Sequence, residues 1–200
     1  GSASKIVKSD RAKLSIMLEI RGKTQKEAYQ NIKSFHPEIY KYLEKKGIDK
    51  KDIDVKPING YYNYKSINGY LTSEILDYSA NQYIDITSNN VEKIKEISTD
   101  IQTLTDKGIN FHTERPEFFY SDLASVKIEL LKKASKDAKE RAKSMLSATG
   151  SKVGKVKQVK MGVFQITPPD STDVSDYGVN DTSTIEKKVT AVANVVFNVK

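Results

Sequence analysis

The chain has 200 residues, of which 38% are hydrophobic and 30% are charged, a balance typical of a globular protein with a sizeable core rather than of a disordered one. It contains no cysteine, which excludes disulfides, thiolate nucleophiles and thiolate metal sites. The 33 Lys and Arg residues outnumber the 26 Asp and Glu residues and give a net charge of +7. This excess is diffuse, so a basic solvated surface is a better explanation of it than a nucleic-acid or membrane partner.

Residues 1–9 are expected to precede the folded domain, which we predict to be a single unit over residues 10–200. Gly1 and Ser2 are typical of a cloning scar, so we expect that a signal peptide or lipid anchor has been removed. No run in the sequence approaches the roughly 18 apolar residues that cross a bilayer. We therefore predict no transmembrane segment.

The first predicted strand has the two-residue period of a sheet with one buried face. Its apolar positions are Ala12, Leu14, Ile16, Leu18 and Ile20. Thr24 and Glu27 then have capping-box spacing, and apolar residues at helical steps predict a helix over residues 24–46. Pro37 lies inside this pattern and has no backbone N–H, so we expect a kink or a short break near His36.

A tyrosine-rich stretch lies between a second strand, which begins at Ile53, and a long third strand that ends near residue 87. Two Asn-Gly pairs, Asn59-Gly60 and Asn68-Gly69, predict tight turns or bulges at its two ends. The backbone between them is expected to project from the sheet. The predicted inner face of the third strand is Leu76, Tyr78, Ala80, Ile84 and Ile86.

A second helix is predicted over residues 91–106, closed by Gly108, and a short strand near residues 117–120. The resulting order, βαββαβ, is that of a ferredoxin-like α/β (α+β) fold, in which helices back an antiparallel sheet. A long helix over residues 122–149 and a C-terminal β-hairpin of residues 153–167 and 184–199 follow.

The long helix is predicted to pack through one apolar stripe, with Ser121 capping its first turn and Gly150 ending it. The stripe consists of Ala124, Ile128, Leu131, Ala134, Ala138, Ala142 and Met145. Between the two hairpin strands, residues 168–183 are polar and acidic, which predicts a long flexible loop. This loop lacks the glycine and the terminal glutamate of an EF-hand, so a solvated loop tip is a better interpretation than a calcium site.

Catalytic motifs are missing from the sequence, which contains no HExxH, Walker, GxSxG or GxGxxG pattern. The two histidines, His36 and His112, would make an incomplete zinc shell even together, and His112 is predicted to lie in a loop. We therefore predict no catalytic residue, no metal, no cofactor and no enzymatic activity. A hydrolase with dispersed carboxylates stays open as an alternative, because sequence spacing does not reveal such a pair.

Four tyrosines form the best candidate contact surface: Tyr61, Tyr62, Tyr64 and Tyr70. Tyrosine offers rigid amphipathic contact area and is enriched at protein interfaces. The alternative is that half of these side chains pack on the sheet and the others are incidental.

Several short motifs, in order and spacing, span almost the whole chain. They are Asp10 and Ala12 (Asp-x-Ala), residues 47–57 (GIDKKDIDVKP), Tyr62, Tyr64, residues 67–70, Gly108, Asn110, Phe118, Ser121-Asp122, and residues 137–156 (DAKERAKSMLSATGSKVGKV). Together they resemble the SIMPL-domain family, named for a signalling molecule that associates with a pelle-like kinase. The Gly-x-Gly strand that often opens this family is absent, and residues 4–9 read SKIVKS instead.

The resemblance implies a mostly bacterial, exported protein of the periplasm or outer surface, with roles in envelope or oxidative-stress defence and some homo-oligomeric members. The family has no agreed catalytic residues. The leading hypothesis is therefore a non-enzymatic envelope protein that acts through protein contacts or self-assembly. A nucleic-acid-binding module is the alternative, based on the ferredoxin-like order and the +7 charge, although no RNP-like run is present.

Overall fold

The computed structural model describes residues 1–200, which form three α-helices and eleven strands in two mainly antiparallel sheets. The strands are β1 (Ser2–Lys8), β2 (Arg11–Gly22), β3 (Ile53–Val55), β4 (Asn59–Ile67), β5 (Tyr70–Ser88), β6 (Phe111–Thr113), β7 (Glu117–Phe119), β8 (Val153–Met161), β9 (Gln165–Thr167), β10 (Val179–Asn180) and β11 (Glu186–Val199). The helices are α1 (Gln25–Lys45), α2 (Val91–Asp100) and α3 (Leu123–Ser147), with 3₁₀ segments at Lys50–Asp52 and Ile101–Lys107. The predicted α/β class is confirmed. None of the helices has the length and the apolar composition of a membrane span.

The contacts divide the chain into two compact units. The terminal unit consists of Gly1–Asp10 and Phe118–Lys200, and the central unit is Arg11–Glu117. The two units are described separately below.

The sheet of the central unit has the strand order β3-β5-β2-β6, and β4 also pairs with β5. All these pairs are antiparallel. The four strands of the βαββαβ series are β2, β3, β5 and β6, and the first of them, β2, lies between the third and the fourth. This is the predicted ferredoxin-like order, but the strand predicted near residues 117–120 as the last of the series is the separate strand β7. The fourth strand of the series is β6, which the sequence did not reveal because three residues are too few to show a period.

Helix α1 begins as predicted, since the Thr24 hydroxyl accepts the Glu27 N–H at 3.2 Å and the Glu27 carboxylate accepts the Lys23 N–H at 2.8 Å. Of the kink or short break predicted near His36, the break is wrong, because α1 continues to Lys45. Pro37 lies on the exposed side of the helix. The carbonyl of Lys33, which loses its helical donor there, belongs to an exposed residue and has access to water.

The sheet of the terminal unit has the order β1-β11-β9-β10, and β8 also pairs with β11. Residues 2–8, which the sequence analysis places before the folded domain, form β1 along β11 from Ser2↔Val192 to Lys8↔Glu186. Val7 is the one buried side chain of β1, so this strand carries little amphipathic signal. The predicted C-terminal hairpin is confirmed, but its first strand is interrupted at residues 162–164 and forms β8 and β9.

Helix α3 packs on β1 and β11, as expected of a helix that backs a sheet. Its buried residues are Val126, Leu130, Ala134 and Ala138. The predicted stripe is right at the two alanines and wrong at Ile128 and Met145, which are 58% and 75% exposed. The first half of the helix carries two overlapping apolar stripes, and the one that begins at Leu123 faces the sheet.

The predicted capping role of Ser121 is wrong. Its N–H and its hydroxyl both donate to the carboxylate of Asp10, at 2.9 and 2.5 Å. Asp122 occupies the N-cap position without a side-chain hydrogen bond to the helix. At the other end, Gly150 has a φ of 72°, which confirms the predicted left-handed turn.

Candidate contact surface on a hairpin arm

Strands β4 and β5 extend beyond the rest of their sheet as a two-stranded ribbon. The strand β2 pairs with β5 only from Tyr78 to Ser88, so residues 70–77 of β5 have β4 as their only strand neighbour. Asn68 and Gly69 join the two strands with φ values of 52° and 84°, the positive pair that a two-residue type I′ turn requires. We call residues 59–78 the hairpin arm.

The second Asn-Gly pair is thus a turn as predicted, but the prediction for the first pair is wrong. Asn59 and Gly60 lie within β4, opposite Asn81 and Ala80. A Cβ atom on Gly60 would lie 2.3 Å from the Ser79 carbonyl oxygen and 2.7 Å from the Tyr78 ring. The glycine therefore serves a close approach between strands and does not reverse the chain.

All four candidate tyrosines lie on the hairpin arm, where they are 44–80% exposed. Four large aliphatic side chains of the arm are also exposed: Ile67, Leu71, Ile75 and Leu76. The assignment of Leu76 to the core is wrong, because it lies past the end of β2. The arm consequently presents eight large apolar or aromatic side chains to solvent.

Tyr62 differs from the other three tyrosines because it also contacts the core. Its ring packs edge-on against Tyr78, with the ring centroids 4.9 Å apart. Tyr78 is buried, and its ring lies 6.1 Å from that of Tyr29. Tyr62 therefore anchors the base of the arm. The other three, Tyr61, Tyr64 and Tyr70, have no aromatic partner in the chain, and we call them the freely exposed tyrosines.

The charged residues of the arm have partners within the central unit. Lys65 forms an ion pair with Glu74, and Asp77 lies 3.6 Å from the guanidinium of Arg21. The Asn63 amide also donates to Asp77. The arm accordingly presents aromatic and aliphatic surface with no unpaired charge.

The two histidines lie in separate polar contacts. Nε2 of His36 is 2.8 Å from Oε1 of Gln82, whose amide donates to the Lys56 carbonyl at 2.7 Å. His112 lies in β6 and not in the predicted loop, with Nε2 3.4 Å from the Glu19 carboxylate. No group of three or more His, Cys, Asp or Glu side chains has the geometry to hold a metal ion.

Comparison with known protein families gives a match that covers nearly the whole chain. Residues 1–197 match the family SIMPL, described as a protein of unknown function (DUF541). The matched range includes β1, the whole central unit and all but the last three residues of the terminal unit. No curated protein matches the chain.

Proposed function

The chain belongs to the SIMPL family, and we propose that it is a non-enzymatic protein of the cell envelope that acts through protein contacts made by its hairpin arm. The observation that carries this proposal is the arm itself, a hairpin that extends past the end of β2 and presents eight exposed apolar or aromatic side chains along its length. The envelope location and a role in envelope or oxidative-stress defence rest on the family resemblance seen in the sequence.

A binding partner would stabilise the arm in two ways, by covering the ribbon and by pairing its free strand edge. A two-stranded ribbon is marginally stable in water unless something covers it. The strand β4 has β5 as its only strand partner, so its outer edge offers N–H and C=O groups to another strand. Clusters of exposed aromatic side chains usually mark contacts. Backbone pairing along β4 would satisfy the edge while the tyrosines supply buried area.

We infer that the partner is a second copy of this chain. The central unit contains 17 basic and 16 acidic residues, and the charges of the arm are paired, so nothing there selects a strongly charged partner. Two copies would meet through this unit with little repulsion. Antiparallel pairing of β4 with its copy is self-complementary, as a twofold dimer requires.

Replacement of the three freely exposed tyrosines tests this proposal. The variant Tyr61→Ser, Tyr64→Ser, Tyr70→Ser retains Tyr62, because that ring packs on Tyr78. We expect sedimentation velocity to show a dimer for the wild type and a monomer for the variant, with nearly equal melting temperatures. Tyr177→Ser is the matched control, since Tyr177 is 97% exposed but lies in the terminal unit. A folded triple variant that still dimerises would contradict the proposal.

The nucleic-acid alternative combined a ferredoxin-like sheet with a basic surface, and the structure places these features in different units. The terminal unit contains 16 basic and 10 acidic residues and thus +6 of the net charge, whereas the ferredoxin-like central unit carries +1. This separation favours the contact hypothesis. Micromolar, salt-sensitive binding of single-stranded RNA, measured by fluorescence anisotropy, would reverse the ranking.

A further inference from the structure

We propose that the terminal unit contains a binding site for an amphipathic anion, a molecule with an alkyl or aromatic body and one carboxylate. The site is an open hollow of about 630 Å³ between the start of α3, the interruption between β8 and β9, and the turn before β10. Small-molecule sites typically measure about 300–1,000 Å³ and combine apolar walls with few polar groups. This site does not include the hairpin arm, and the inference does not depend on the function proposed for the arm.

The walls of the hollow are mainly apolar. They include Leu123, Met161, Val163, Phe164, Ile166 and Val179. Met161 and Val163 are about half exposed. Burial of the exposed part of these apolar side chains would be favourable. An alkyl chain or an aromatic ring placed against them would remove this surface from water.

One charge lies among the lining residues, and it is positive. Lys127 reaches the hollow from α3, and its Nζ lies 5.3 Å from the centroid of the Phe164 ring. No aspartate or glutamate lines the hollow, and Lys127 has no ion pair within the chain. The ammonium is therefore available to a carboxylate, and the +6 charge of the unit favours the approach of an anion.

Internal hydrogen bonds hold in place the wall that the turn before β10 forms. The buried side chain of Gln165 donates to the Ser175 carbonyl at 2.7 Å and accepts the Val179 N–H at 2.9 Å. Gly178 has a φ of 88°, and a Cβ atom there would lie 2.8 Å from the Phe164 carbonyl oxygen. A pre-formed wall of this kind lowers the ordering cost of binding a ligand.

Displacement of a fluorescent fatty acid tests the site. The probe is 11-(dansylamino)undecanoic acid, the competitor is decanoate, and decyltrimethylammonium is the competitor of opposite charge. We expect decanoate to displace the probe from the wild type and decyltrimethylammonium to fail. Lys127→Glu should weaken decanoate binding at least about tenfold, since it replaces the attractive charge with a repulsive one.

The matched control is Lys132→Glu, the same charge change at an exposed position of α3 that does not line the hollow. It should change decanoate binding less than about twofold, because an exposed charge outside the hollow is screened by salt. The triple tyrosine variant of the arm should bind decanoate like the wild type, so failure of one proposal is distinguishable from failure of the other. Three results would overturn the inference: no displacement by decanoate, equal weakening by both lysine variants, or equal binding of the cationic competitor.

Discussion

A buried lysine and a partly buried aspartate hold the end of the acidic loop in place. Lys187 is 2% exposed, and its Nζ donates to the carbonyls of Asp181 and Thr184, each at 2.7 Å, and lies 3.3 Å from the Asp181 carboxylate. Burial alone would raise the pKa of Asp181, but hydrogen bonds from Ser183 and Thr184 and the charge of Lys187 outweigh it and lower the pKa to about 2. The segment predicted to be a flexible loop is thus anchored at this residue.

We predict that Asp181→Asn destabilises the fold more than Lys187→Met does. The first change leaves the buried Lys187 ammonium without a counter-charge, and loss of one partner of a buried ion pair costs about 3–5 kcal/mol. The second leaves Asp181 with its donors from Ser183 and Thr184. Urea denaturation at pH 7 measures both free energies of unfolding, and the reverse order would show that the loop end does not depend on this carboxylate.

The pKa values of Asp181 and Lys187 predict how the stability difference between the wild type and Asp181→Asn changes with pH. The pKa of Asp181 is lower in the folded chain than the unfolded value of about 3.9. Its stabilising contribution is therefore complete above about pH 4 and is lost as the pH falls toward 2. The pKa of Lys187 is lowered by burial against the opposing effect of Asp181, so its own contribution changes only in the alkaline range. Wild type and Asp181→Asn should consequently converge in stability between pH 4 and pH 2.

At the scale of elements, two alanine substitutions on α3 test which face of this helix packs on the sheet. Ala134 is fully buried against the sheet, whereas Ala124, on the stripe predicted from the sequence, is exposed. Ala134→Asp should lower the free energy of unfolding by several kcal/mol, because it buries an unpaired carboxylate. Ala124→Asp should change it by less than about 0.5 kcal/mol. Equal thermal shifts for the two variants would show that α3 packs through a different face.

The sequence predicted those elements whose periodicity extends over several residues. The strand β2 and the helices α1 and α2 alternate apolar and polar positions for long enough to reveal their buried faces. The strands β1 and β6 were not recognised, since one buries a single side chain and the other has three residues. Their place in a sheet depends on partners distant in sequence.

The candidate site was predicted in part. The four tyrosines of the arm were identified from their clustering, but the shape of the arm was not, because it depends on the register of β4 against β5 and on the early end of β2. The hollow beside Lys127 was not identified at all. Its walls come from three segments, residues 123–127, 161–166 and 177–180, and no local pattern links them.

At the scale of the whole molecule, most of the net charge lies on one unit and the hairpin arm lies on the other. The terminal unit carries +6 of the formal +7, and the hairpin arm belongs to the nearly neutral central unit. The charges of the arm itself are paired, so a contact between two arms brings little like charge together. Self-association through the arm is therefore compatible with a basic protein.

The central claim is that two copies pair along β4, and a distance between spin labels tests it most directly. The chain has no cysteine, so Ser66→Cys gives a unique labelling position on the arm. Ser125→Cys gives a control at another exposed position, on α3. Ser66 lies three residues from Asn63, the middle of β4. In an antiparallel twofold pair centred there, the two copies of residue 66 are separated by about six residues at about 3.4 Å each.

The account predicts a narrow peak at roughly 20–30 Å in double electron–electron resonance for labels at residue 66, with the labels themselves adding to the backbone separation of about 20 Å. Labels at residue 125 should give no such peak. A protein that sediments as a monomer, or a dimer whose residue 66 labels show no dipolar coupling, would contradict it.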